Sequence, residues 1–230
     1  MFRPWRNLFP AEIALCGVEY PGRGTRMSEP TVDRIETLAS EFADALTEAP
    51  PGPYALFGHS MGALVAFEAS HQLATRGAPL PILMVASGHG AASLPRASAA
   101  VHDAPDPKFL ARLRELNATS AEILAMPDLL ELMMPILRSD FRAAETYAPP
   151  RRPKLEVPIA AYGGLADADV GRDQLVAWKN ETTGGCIVRM FPGDHFFLRS
   201  AAVRVVTMLV RDLTEALRIP PVRLSITDSS

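Results

Sequence analysis

The chain alternates between short apolar runs and longer segments whose apolar residues recur every three or four positions. Short runs are typical of buried strands, and the longer period is typical of amphipathic helices. The runs predict strands at residues 13–19, 54–57, 81–86, 158–162 and 186–191. Helices are predicted between and after them, at residues 32–46, 63–76, 175–179 and 203–217. This order predicts an α/β fold with a mostly parallel sheet flanked by helices.

The alternation stops between residues 97 and 150, where only helical patterns appear. Helices are predicted there after Asp106, at a capping-box pattern in residues 119–122, and from Pro127. The last of these is apolar on too many faces for a simple surface helix. A helical insertion after a sheet strand predicts a lid over a site. Its methionines would suit a pliable wall for an acyl chain, although each one taken singly fits core packing better: Met126, Met133 and Met134.

A G-x-S-x-G pentapeptide, residues 58–62, lies between a predicted strand and a predicted helix. In that context it predicts a nucleophile elbow, a sharp turn that lifts Ser60 toward a base at the cost of a strained backbone. Gly58 and Gly62 would be the small residues that let the strand and the helix approach closely. The backbone N–H of Met61, at the helix start, would donate to an oxyanion.

If Ser60 is the nucleophile, this kind of fold needs an acid and then a histidine, each just beyond a strand. Asp167 follows the strand at 158–162 across a Gly-Gly turn, and His195 follows the strand at 186–191. His195 would take the serine proton and later return it to the leaving group. Asp167 would fix the tautomer of the imidazole. Asp169 is the alternative acid.

The other candidates have simpler interpretations. Asp194 is interpreted as a turn residue and His59 as a packing residue, while His89 precedes every suitable acid. No spacing of histidines, cysteines and carboxylates suggests a metal site, so we expect no metal and no cofactor.

Composition narrows the class of protein. A chain of 230 residues is long enough for one α/β domain, and we expect a single domain with a flexible tail at residues 220–230. A net charge of −3 gives no reason to expect nucleic acid or an anionic membrane as a partner. Cys16 and Cys186 lie in apolar, strand-like runs and are expected to be buried thiols. A cytoplasmic enzyme is the expectation.

Several motifs, taken together, resemble those of the stand-alone type II thioesterases of polyketide and nonribosomal peptide assembly lines. They are the Tyr-Pro-Gly-Arg turn within residues 19–26, the pentapeptide at 58–62, the Asp-Phe-x-Ala-x-Glu-x-Tyr segment within 137–147, Gly163-Gly164 with Asp167, and residues 193–197. The pentapeptide is shared with many lipases and esterases, whereas the turn and the long segment are much more specific. The resemblance extends from about residue 2 to residue 217.

The resemblance implies an α/β-hydrolase fold and hydrolysis of acyl groups from the phosphopantetheine arm of a carrier protein. The helical lid would form an acyl channel, and its outer face would meet the carrier. The same motifs leave two other interpretations open. One is a general esterase or acyltransferase of the same fold, and the other is a catalytically impaired relative that still binds carrier proteins.

The chain departs from the family at its start. Members usually begin with a further strand and a Phe-Pro-x-Ala-Gly-Gly-like loop, which supplies the second oxyanion donor. Met1 falls after that point, so we expect an internal gap between the strands that hold Val18 and Leu56. Either the start is assigned too far downstream or the protein is genuinely shortened. A third alternative is that residues 222–226, which alternate like an edge strand, fill the gap.

Overall fold

A four-stranded parallel sheet forms the centre of the structure, a computed structural model that describes residues 2–96, 98–117 and 126–218. The strands lie in the spatial order β1–β2–β3–β4, and each pairs in parallel with its neighbour. They are β1 (Ala55–His59), β2 (Leu83–Ser87), β3 (Ile159–Gly164) and β4 (Cys186–Phe191). The predicted parallel α/β sheet is therefore confirmed, with four of its five predicted strands.

Helices lie before, between and after the strands, as the sequence periodicity predicts. The α-helices are α1 (Ile35–Glu48), α2 (Met61–Thr75), α3 (Asp106–Glu115), α4 (Pro127–Thr146), α5 (Arg172–Val176), α6 (Phe197–Ser200) and α7 (Ala202–Arg218). Short 3-10 helices span Arg3–Leu8, Gly24–Arg26 and Ala177–Asn180. None of the helices described is long and apolar enough to cross a membrane.

Both faces of the sheet are covered, because every residue of β2 and of β3 is buried. Successive side chains of a strand point to opposite faces, so a doubly covered strand is apolar throughout. Met84 belongs to the core on one face, with Leu64, Phe67 and Trp178, and Val85 belongs to the core on the other. The loops that carry Ser60, Asp167 and His195 therefore begin at the carboxyl edge of a sheet whose central strands are buried on both faces.

The predicted strand at residues 13–19 is wrong as a sheet strand. The segment has no regular secondary structure and pairs with no strand among the described residues, and Val18 is 52% exposed. Cys16 is exposed as well, so the expectation of a buried thiol there is also wrong, whereas Cys186 is half-buried. A segment stays in a sheet only where a neighbouring strand satisfies its N–H and C=O groups, and no strand among the described residues does so for this one.

The edge of β1 that faces away from β2 is also unpaired among the described residues. The Ser60 N–H donates to the Ser87 carbonyl, at 2.7 Å, so even-numbered residues direct their backbone groups toward β2. Because the backbone alternates, the N–H and C=O groups of Ala55, Phe57 and His59 face away from β2. No strand among the described residues covers this edge. Among the described residues β1 is therefore an edge strand, and because residues 13–19 form no strand, the expected gap between two strands is not what they show.

Residues between β2 and β3 form the helical insertion, of which α3 and α4 are described. Phe109 and Leu113 of α3 pack against Met134, Leu137 and Phe141 of α4 and form a small separate core. Arg23, in the Tyr-Pro-Gly-Arg turn, binds Asp140 of α4 through two hydrogen bonds of 2.7 and 2.9 Å. The insertion is thereby tied to the turn that follows residues 13–19. The predictions for residues 119–122 and for the tail at 220–230 lie outside the described residues.

Candidate active site

Ser60 occupies the turn between β1 and α2 with backbone angles φ 53° and ψ −121°. Positive φ is rare outside glycine, and at this position it matches the strained elbow that the pentapeptide predicts. The turn is held from both sides, because the Ser60 N–H donates to Ser87 and the Ala63 N–H donates to the Ser60 carbonyl, at 2.9 Å. Strain of this kind persists only where the surroundings enforce it.

The two elbow glycines have different roles. A β-carbon on Gly58 would lie 2.0 Å from the carbonyl oxygen of Gly62, which is backbone and cannot rotate away. A β-carbon on Gly62 would meet only the Tyr20 hydroxyl, at an ordinary contact distance of 3.9 Å. The close approach of strand and helix therefore requires glycine at position 58. It does not require glycine at 62, where the sequence argument expected the same constraint.

Asp167 and His195 form a hydrogen bond in which the Nδ1 atom of the ring lies 2.9 Å from Oδ2 of the carboxylate. Both side chains are buried, with 8% of His195 and 1% of Asp167 exposed. Burial acts to raise the pKa of Asp167, but the histidine and two backbone N–H groups outweigh it and lower that pKa. The carboxylate therefore stays charged, as a partner of an imidazolium needs.

The alternative acid, Asp169, lies elsewhere. Its carboxylate pairs with Arg112 of α3, while its backbone N–H donates to Oδ1 of Asp167 at 3.0 Å. Asp194 accepts the Phe196 N–H at 2.8 Å and shapes the turn around His195, as its interpretation as a turn residue predicts. The structure thus brings His195 to Asp167.

Gly163 and Gly164 are strand residues of β3, so the predicted Gly-Gly turn before Asp167 is wrong. A β-carbon on Gly164 would lie 2.2 Å from the Asp194 carbonyl oxygen, and one on Gly163 would lie 2.4 Å from Leu175. Glycine is needed at position 164 because the loop that carries His195 crosses directly over the end of β3. Close packing, not flexibility, explains this glycine pair.

His59 packs against the candidate base, with ring centroids 5.0 Å apart. Its Nδ1 atom lies 3.0 Å from the Ser87 hydroxyl. Burial, with a smaller contribution from His195, lowers the pKa of His59 to about 3. His59 is therefore neutral at physiological pH and adds no positive charge beside His195. His89 also approaches the site, but its Nδ1 atom lies 2.7 Å from the Gly90 carbonyl.

Comparison with known proteins identifies the family of the chain. Residues 1–213 match the family described as "Thioesterase domain". The chain belongs to the thioesterase family. It is 39% identical over 199 residues to the thioesterase PikA5 of Streptomyces venezuelae, covering 86% of this chain and 70% of that protein.

Solved structures of type II thioesterases superpose on the chain. The RedJ thioesterase of the prodiginine pathway in Streptomyces coelicolor is 36% identical, with a TM-score of 0.81 over 92% of this chain and 80% of that one. YbtT, the type II thioesterase of the yersiniabactin pathway, is 31% identical, with a TM-score of 0.84 over 94% and 88%. The chain is thus a type II thioesterase of the kind found in nonribosomal peptide and polyketide biosynthesis, with an α/β-hydrolase fold.

One large cavity of about 2260 Å³ opens onto Ser60 and His195 of this thioesterase. Pockets for small ligands commonly measure about 300–1,000 Å³, so this cavity is larger than a substrate site alone. Besides the candidate catalytic residues, its walls include residues 12–20, the β1 strand, and parts of α1, α4 and α7. The cavity therefore joins the space under the helical insertion to the unpaired edge of β1.

The thioesterase site contains residues that the sequence reasoning did not identify. Ser87 accepts the Ser60 N–H with its carbonyl and contacts His59 with its hydroxyl. Tyr20 lines the cavity, and burial together with Asp140 raises its pKa to about 12, so its hydroxyl stays protonated. A usable signal for Ser87 was its position at the carboxyl end of the strand adjacent to the nucleophile strand.

Proposed function

We propose that the protein hydrolyses acyl groups from the phosphopantetheine arm of acyl or peptidyl carrier proteins, with Ser60, His195 and Asp167 as its catalytic residues. The observation that carries the proposal is the buried Asp167–His195 pair beside a strained serine elbow, at one end of a large apolar-walled cavity. Membership of the thioesterase family supports the thioester as the bond cleaved.

In the first half-reaction, the Ser60 hydroxyl attacks the thioester carbonyl and passes its proton to Nε2 of His195. The Met61 N–H, the first amide of α2, would donate to the oxyanion that forms. The carbon–sulfur bond breaks, the thiolate takes the proton from His195, and the acyl group remains on Ser60. No hydrogen bond joins Ser60 to His195 among the described residues, and such contacts often form only when substrate is bound.

In the second half-reaction, water attacks the acyl-serine while His195 takes its proton. The proton returns to Ser60, and the free acid leaves. Throughout the cycle Asp167 holds Nδ1–H of His195, and its negative charge stabilises the imidazolium. The helical insertion would act as a lid that limits the access of water and binds the acyl chain, with Met134 and Leu137 of α4 packed against Phe109 and Leu113 of α3.

A comparison of two substrates tests the proposal: an acylated carrier protein and a p-nitrophenyl ester of the same acyl chain. We expect the carrier thioester to have the higher kcat/KM and Ser60→Ala to reduce both reactions by at least about 10³-fold. A preference for the simple ester would favour a general esterase. If the carrier protein binds but is not turned over, the protein is an impaired carrier-binding relative and the proposal is wrong.

A further inference from the structure

Two side chains at the carboxyl end of α3 reach the two loops that carry the candidate acid and base. Arg112, with 19% of its side chain exposed, pairs with the Asp169 carboxylate in the loop after β3. Asn117, just beyond α3, donates from Nδ2 to Oδ2 of Asp194 at 2.8 Å, in the loop after β4. One helix of the insertion therefore contacts both loops.

Asp169 lies two residues from Asp167, and Asp194 is adjacent to His195. The backbone N–H groups of Asp169 and Val170 donate to Oδ1 of Asp167 at 3.0 and 3.2 Å, which leaves Oδ2 for His195. Holding the Asp169 side chain thus fixes the orientation of the Asp167 carboxylate. On the other loop, Asp194 accepts the Phe196 N–H with the oxygen that Asn117 does not use. The turn that presents His195 is fixed in this way.

We infer that Arg112 and Asn117 are positioning residues, through which α3 holds the Asp167 and His195 loops in their working geometry. The inference rests on the proposed function, because the geometry that it describes is that of the proposed catalytic pair. Charge-assisted hydrogen bonds are shorter and stronger than neutral ones, so the pair of Arg112 with Asp169 is expected to have the larger effect. The helical insertion would then influence turnover as well as substrate binding.

The structure offers a matched control. Arg142 of α4 forms ion pairs with Asp103 in the same insertion, at 2.5 Å, and with Asp33, at 3.7 Å, and none of these residues belongs to the loops that carry Asp167 and His195. Arg112→Gln and Arg142→Gln therefore remove the same kind of contact from the same part of the fold. For the second contact, Asn117→Gly is the clean variant, because Asn117 has φ 51° and alanine would add backbone strain there.

The test compares these variants in the full-length protein by thioester hydrolysis across pH. We expect Arg112→Gln to lower kcat by about 10- to 100-fold with KM changed less than about threefold, as for a misplaced catalytic group. The acid limb of its pH profile should also move. Asn117→Gly should lower kcat to a smaller extent, and Arg142→Gln should stay within about twofold of the parent. Arg112→Gln combined with Asp169→Asn should be no worse than either alone.

Three kinetic outcomes would overturn the inference. They are an unchanged kcat in Arg112→Gln, an equal loss in Arg142→Gln, or a rise in KM alone, which would make Arg112 a substrate-binding residue of the cavity wall. A readout without turnover separates this result from failure of the proposed function. In proton NMR the Nδ1–H signal of His195, hydrogen-bonded to Asp167, should shift or broaden in Arg112→Gln and stay unchanged in Arg142→Gln. An unchanged signal in both variants would also refute it.

Discussion

The difference between the two elbow glycines gives a quantitative prediction. A methyl group on Gly58 would lie 2.0 Å from the Gly62 carbonyl oxygen and 2.6 Å from the Ala63 nitrogen, whereas ordinary contact begins near 3.4 Å. The start of α2 would have to move by more than about 1 Å, and Ser60 lies in the three-residue stretch that would absorb this movement. A misplacement of about 1 Å can reduce a catalytic rate by about 10²-fold. Overpacking of this kind typically lowers stability by about 1–3 kcal/mol.

Gly62→Ala is the matched control, because it adds the same methyl group two residues from Ser60 on the other side. Its β-carbon meets only the Tyr20 hydroxyl at 3.9 Å, and alanine is better than glycine in a helix by about 1 kcal/mol. We therefore expect Gly58→Ala to lose about 10²-fold in kcat and to unfold at lower urea concentration. Gly62→Ala should keep its activity within about threefold and be equally or more stable.

Urea unfolding and hydrolysis of an acyl thioester measure the two effects separately. Labelling of Ser60 by a fluorophosphonate reports the geometry of the nucleophile without a carrier protein. The reasoning is refuted if Gly58→Ala retains the activity and stability of the parent, or if Gly62→Ala is impaired to the same degree. In the second case the constraint would come from backbone conformation near Ser60 and not from the contact between strand and helix.

Two further predictions concern the sheet edge and the response to acid. Because the amides of Ala55, Phe57 and His59 face away from β2, they should exchange with deuterium faster than those of Leu56 and Gly58. Equal protection along β1 would show that another segment covers the edge. Burial acts to raise the pKa of Glu145, but His102 and the backbone N–H groups of Val101 and His102 outweigh it and lower that pKa. Its contribution to stability should therefore be complete above pH 4.5 and be lost as the pH falls, so urea unfolding of Glu145→Gln should depend less on pH in this range. An identical pH dependence in the variant would contradict this assignment.

The candidate catalytic residues that follow the strands could be predicted from the sequence. Ser60, Asp167 and His195 follow strands whose apolar runs are distinct, and chain order predicts an acid after β3 and a histidine after β4. The choice between Asp167 and Asp169 needed the structure, because it depends on Arg112, which lies 57 positions away in sequence. Long-range ion pairs leave no local pattern that a single sequence can show.

The same limit explains the errors. Residues 13–19 have the composition of a strand, but whether a strand is paired depends on a neighbour that the segment itself does not encode. Gly163-Gly164 suggests a flexible turn by composition, yet its glycines are needed because the His195 loop crosses over β3. Local sequence reports conformational preference, whereas close approach of distant segments is a property of the fold.

Ser60 has different surroundings on its two sides. Toward β2, the Ser87 carbonyl holds its N–H, and the loops after β3 and β4 bring Asp167 and His195 together. On the other side, the β1 edge is unpaired among the described residues and borders the large cavity. A strained residue keeps its conformation only while its neighbours enforce it. The enforcement at Ser60 comes from β2 and from the contact of Gly58 with Gly62. Loosening β1 should therefore disturb the nucleophile while leaving the hydrogen bond of Asp167 and His195 intact, so the two halves of the site can fail independently.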